Sequence, residues 1–82
     1  MSTTQEMIQD WFERGKEMGA THMIVVCDTW DYEDYPTYVL PNEDPRAKYN
    51  DIHGKNMQTV MEVYDLRKDM NEQLNRSRCF EF

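Results

Sequence analysis

The chain has 82 residues, with 16 acidic side chains against 9 basic ones and a formal net charge of −7. That length supports one domain with a thin core, burying only about 60–65% of the unfolded surface, and the charge disfavours direct nucleic-acid binding, which needs clustered Lys and Arg. No run approaches the roughly 20 apolar residues of a membrane span, and MSTTQEMIQD lacks the basic and apolar regions of a signal peptide, so the expected compartment is the cytoplasm, with Cys27 and Cys79 reduced.

Residues 3 to 18 read as an amphipathic helix. Thr3 with Glu6 fits a capping box, and Met7, Ile8, Trp11, Phe12, Gly15 and Met18 recur at helical spacing on one face. Gly15 on that face costs helix propensity but lets the backbone approach whatever the helix covers. Gly19 is the expected stop. Thr21 to Thr29 reads as a strand. Its run MIVVC does not alternate, which predicts burial on both faces or a central position. Met23, Val25 and Cys27 point one way, Ile24 and Val26 the other.

Tyr35 to Leu40 reads as a second strand, with Pro36 at its start or on a sheet edge because proline lacks a ladder donor. The segment WDYEDY, Trp30 to Tyr35, then forms the tip of an antiparallel hairpin. Asp44 and Pro45 open a short helix over residues 45 to 51, which His53-Gly54 breaks. Asn56 caps a long helix in which Met57, Val60, Met61 and Tyr64 form one stripe, continued by Val63, Leu66, Met70 and Leu74. The expected class is α+β in two layers: helix, antiparallel hairpin, short helix, long helix. A lone two-stranded sheet is marginal in water. Completion is expected from both helices packing on it, from a third strand in Cys79 to Phe82, within a tail at 76–82, or from a second copy in a two-fold homodimer, with methionines such as Met57, Met61 and Met70 at its interface.

The elements ATHMIVVCDT, EDYP-x-YV and GKNM-x-x-VMEVYDL resemble a group of short, uncharacterised bacterial and bacteriophage-type proteins, over roughly residues 11 to 70. No activity attaches to that group, so the resemblance supplies no catalytic residue. It implies a cytosolic protein and is compatible with a phage-encoded inhibitor of a host system.

Chemical constellations are sparse. His22 and Cys27 face opposite sides of one strand, there is no C-x-x-C or H-x-x-x-H, and D-T-W-D-Y-E-D lacks the glycine of a calcium loop. No metal and no cofactor are expected. Cys27, Asp28 and His53 would make a minor enzyme only if the thiol were exposed beside the imidazole. His53, Gly54 and Lys55 offer an alternative small-ligand or nucleotide site at the start of the long helix, where free N–H groups attract anions. Tyr49 and Asn56 depart from the phosphate-loop pattern, however. The main expectation is a non-enzymatic interaction protein. Its site comprises Asp28, Trp30, Asp31, Tyr32, Glu33, Asp34 and Tyr35, where aromatics supply contact area and carboxylates steer a basic protein partner. From Asp28 to Asp44 there are six carboxylates and no Lys or Arg.

Overall fold

The computed structural model describes residues 4–55, 57–76 and 79–82. Six elements follow one another: α1 (Gln5–Glu17), β1 (His22–Asp28), β2 (Glu33–Val39), α2 (Pro45–Ile52), β3 (Gln58–Asp65) and α3 (Met70–Leu74). The class is α+β, and the sheet is antiparallel with order β2-β1-β3.

The apolar run of β1 accounts for its central place. His22 through Val26 are all buried. Met23 and Val25 join Ile8 and Phe12 of α1, Tyr64, Leu66, Leu74 and Cys79 in one cluster. Ile24 and Val26 join Val39, Val60 and Val63 in a second, against which Tyr35, Tyr49, Ile52 and Phe82 pack. Helices therefore cover both faces, and the two-layer expectation is corrected to helix, sheet, helix.

The helix starts follow local capping chemistry. Thr4 caps α1, its hydroxyl accepting from the N–H of Met7 at 3.2 Å; Thr3, expected in that role, lies outside the described residues. Asp44 caps α2 by accepting from the N–H of Arg46 at 3.0 Å, with Pro45 in the first turn. Gly19 ends α1 at φ 80°, a conformation that glycine adopts without a Cβ clash.

The expected long helix after Asn56 does not form. Gln58–Asp65 is a strand and only Met70–Leu74 is helical; Asn56 itself lies outside the described residues. The helical pattern comes from a β-bulge within the strand. Val25 pairs with Glu62 and Val26 with Val60, so Met61 is an extra residue on β3. Val60 and Val63, three apart, consequently fall in the same cluster. That three-residue step imitates helical periodicity, while Thr59, Val60, Val63 and Tyr64 are strand formers by shape.

β3 also supplies the third strand that was expected from Cys79 to Phe82. The tail adds one parallel bridge instead: Val63 N–H donates to Cys79 O at 2.8 Å and Glu81 N–H donates to Val63 O at 2.9 Å. The sheet is completed within one chain, which removes the two-stranded motive for a dimer. Buried Gln73 of α3 docks on the end of β3, accepting from Asp65 N at 2.7 Å and donating to Asp65 O at 2.9 Å.

Candidate functional site: the acidic, aromatic end of the sheet

β2 begins at Glu33, two residues earlier than expected, so the turn that joins it to β1 is residues 29–32. Asp28 organises it from below. Its carbonyl accepts from Tyr32 N at 2.7 Å and its Oδ1 from Trp30 N at 2.9 Å. Asp31 Oδ1 accepts from Glu33 N at 3.1 Å. The turn is also tied to the residue preceding β3, because Thr29 N and Thr29 Oγ1 both donate to Met57 O at 2.7 Å.

Three large apolar side chains emerge here into water: Trp30 is 76% exposed, Tyr32 69% and Met57 54%. Two of them, Tyr32 (φ 58°) and Met57 (φ 61°), adopt the left-handed backbone conformation. That region costs a residue with a Cβ about 1–2 kcal/mol. A turn selected only for solubility would place Gly or Asn at such positions.

The site residues expected from the sequence separate into two groups. Trp30, Asp31, Tyr32 and Glu33 are exposed and adjacent at the tip, with Asp28 half-buried beneath them. Asp34 and Tyr35 belong to β2 instead. Asp34 faces Cys27 across the strand pair, while the Cys27 thiol donates to Asp28 O at 3.9 Å. Tyr35 packs on the second cluster, and its hydroxyl accepts from Gln58 Nε2. Met57 was assigned to the apolar stripe of a helix; its place at this end becomes visible only once Gln58 is registered opposite Asp28.

Ion pairing does not neutralise the carboxylates at this end, where Lys55 is the one cation in the adjoining turn among the described residues. Asp10, Glu43, Asp65, Glu72 and Glu81 all have Lys or Arg partners. Among the described residues, no cation pairs with Asp28, Asp31 or Glu33.

The catalytic grouping of Cys27, Asp28 and His53 is not assembled. Burial and the neighbouring Asp34 push the Cys27 thiol up, the reverse of what a nucleophile needs. Cys27 lies on the face opposite Val26, whereas His53 stacks on Tyr49 at 5.0 Å beside the second cluster, and its Nδ1 accepts from Val60 N at 3.2 Å.

The anion site at His53, Gly54 and Lys55 loses its basis in the same way. A strand follows where a helix N-terminus was required. The Gly54 N–H donates to Gln58 O at 2.8 Å and the Lys55 N–H to Ile52 O at 3.1 Å. Both donors that a phosphate would use are already engaged. Among the described residues, no three His, Cys, Asp or Glu side chains converge to hold a metal ion, and no helix is long and apolar enough to cross a membrane.

The chain matches no family model, no curated protein and no solved structure. The functional reading therefore rests on its own residues.

Away from the tip, one buried polar group stands out. His22 and Asp65 are register partners on β1 and β3, each 3% exposed. His22 Nδ1 lies 2.9 Å from Thr21 Oγ1, while Nε2 has no hydrogen-bond partner among the described residues and lies 3.8 Å from Asp65 Oδ2. Burial lowers the His22 pKa, with the Asp65 charge opposing. Burial raises the Asp65 carboxyl, but the hydrogen bonds and charge of Arg67 outweigh it and hold the group below its ordinary range.

Proposed function

We propose that this chain is a non-enzymatic, cytoplasmic interaction protein that binds a basic protein surface through the acidic, aromatic tip of its β1–β2 hairpin, as an inhibitor or adaptor of the phage type. The observation that carries the reading is the pairing of exposure with backbone strain. Trp30 and Tyr32 are 76% and 69% exposed on a turn whose N–H groups donate to Asp28, and Tyr32 is held at φ 58°. An exposed tyrosine in a strained conformation beside an exposed tryptophan has no folding rationale, whereas rigid aromatic anchors ringed by steering charges are what interface centres use. The raised thiol of Cys27 and the engaged N–H groups of Gly54 and Lys55 weigh against the enzymatic and nucleotide readings.

The test is capture from a host lysate at low and high salt, comparing the parent with a Tyr32→Ser, Glu33→Ser variant. Capture should be salt-sensitive and should be lost in the variant, while the melting temperature moves little, since exposed substitutions shift stability by about 0.5 kcal/mol or less each. A folded variant that retains every partner of the parent defeats the reading.

A further inference from the structure

We infer that Met57 completes the tip into a single contact surface, and that its occupant is an amphipathic cationic segment of a protein partner rather than a purely basic one. This rests on the reading of the tip given above and specifies what that tip takes.

The first support is positional. Met57 O receives both donors of Thr29, at 2.7 Å each, so the backbone of Met57 lies beside the residue preceding Trp30. Trp30, Tyr32 and Met57 therefore emerge from two chain segments joined by hydrogen bonds. The turn before β3 is itself closed by Gly54 N to Gln58 O at 2.8 Å and Gln58 N to Lys55 O at 2.9 Å. The exposed apolar groups sit on a preformed base, so little ordering cost would be incurred on binding.

The second support is the match of charge with apolarity. Asp28, Asp31, Glu33 and Asp34 lie at this end, and Lys55 is the single Lys or Arg between Lys48 and Arg67. This field repels the other available occupants. A second copy would bring the same carboxylates tip to tip, while nucleic acid and anionic membrane surfaces carry the same sign. A plain polycation would satisfy the carboxylates but leave three large apolar side chains in water. A helix with Leu or Phe on one face and Lys or Arg flanking it answers both features, because apolar anchors meet Trp30, Tyr32 and Met57 and cations meet the rim.

Three synthetic peptides test this by fluorescence anisotropy: a Leu/Lys/Arg amphipathic helix, the same peptide with Ser replacing Leu, and the same peptide with Gln replacing Lys and Arg. The parent protein should bind the first at least about tenfold tighter than either other, as expected when anchors and charges both contribute. Met57→Ser should weaken the first complex by about threefold or more and leave the Ser-substituted peptide unaffected. Met57→Asn, which tolerates positive φ, repeats the measurement in case the Ser variant misfolds. Equal binding of the first two peptides, no effect at Met57, or no binding by any peptide overturns the assignment. The two readings separate cleanly. If Tyr32→Ser, Glu33→Ser abolishes lysate capture while Met57 substitution leaves the amphipathic peptide unaffected, the tip stands and its extension falls. If that variant keeps every captured partner, the tip reading falls as well.

Discussion

Replacing Gly15 with Ala should destabilise this protein, although Ala is the better helix former. In an ordinary helix interior the exchange favours folding by about 0.8–1.0 kcal/mol. Here a Cβ on residue 15 would stand 2.5 Å from Leu66 Cδ1 and 2.8 Å from Tyr38 Cε1, well inside contact distance. Neither neighbour yields easily. Leu66 is 3% exposed, so moving its methyl means another rotamer inside a packed cluster. The Tyr38 ring is held by its hydroxyl, which donates to Trp11 O at 2.7 Å, on the same helix that would have to lift away. Overpacking of this kind costs about 1–3 kcal/mol, and losing the tyrosine hydrogen bond costs about 1 kcal/mol more. Set against the propensity gain, the net loss is about 1–3 kcal/mol, or a melting temperature lower by roughly 4–24 °C for a domain of this size. Urea denaturation of parent and Gly15→Ala measures it. Leu66→Val, which removes the offending Cδ1, should make the Ala substitution less costly in the double variant. A Gly15→Ala protein more stable than its parent would refute the argument that close approach, rather than chance, placed glycine on the buried face of α1.

Acid should unfold the protein partly through His22. Its folded pKa is lowered from 6.5 mainly by burial, so the unfolded chain takes up the proton more readily. The contribution is fully present above 6.5 and drains as pH falls below it, at up to about 1.4 kcal/mol per pH unit. Asp65, also lowered, acts in the same direction but only as pH falls through and below its ordinary 3.8. Stability measured in urea at about pH 7 and about pH 5.5 should fall more for the parent than for His22→Gln; equal losses would remove His22 from the account. At the tip, Tyr32→Gly should be more stable than Tyr32→Ala by about 0.5–1 kcal/mol, because φ 58° suits glycine. The usual order, Ala above Gly, would show that this backbone conformation is not held in solution.

The legible parts of this fold are those where one local signal dominated. MIVVC required cover on both faces, and β1 is the central strand. Asp44 with Pro45 predicted the start of α2, and Gly15 a close approach. Pro36 was read as a strand start or an edge, and it lies within edge strand β2. The illegible part was β3. A bulge at Met61 breaks the two-residue period and places Val60 and Val63 on one face, which a periodicity argument reads as helix. Everything dependent on that helix fell with it, including the anion site at Gly54 and Lys55 and the inward placing of Met57. Of the candidate site, the acidic and aromatic composition was readable, but its limits were not. The strand reaches back to Glu33, which turns Asp34 and Tyr35 into sheet residues, and Met57 joins through a pairing between segments 28 residues apart in sequence. His22 and Asp65 meet for the same reason, across a register that no local pattern announces.

The sheet itself bears on how a partner would be met. Small sheets often recruit partners by adding a strand to an open edge, and this one restricts both edges. On β3 the residues from Cys79 to Glu81 occupy the main-chain groups of Val63, and Phe82 packs against Tyr49 at 5.3 Å and beneath the Arg46 guanidinium at 4.3 Å. On β2, Pro36 sits mid-strand without an N–H, and Glu33 and Asp34 place carboxylates along the same edge. Both devices discourage main-chain pairing with another chain. What remains for recognition is side-chain chemistry, and the large apolar side chains brought together by hydrogen-bonded backbone at the Asp28 end are Trp30, Tyr32 and Met57. Restricted edges, with exposed side chains gathered at one end of the sheet, support the proposal that a partner is met at that end.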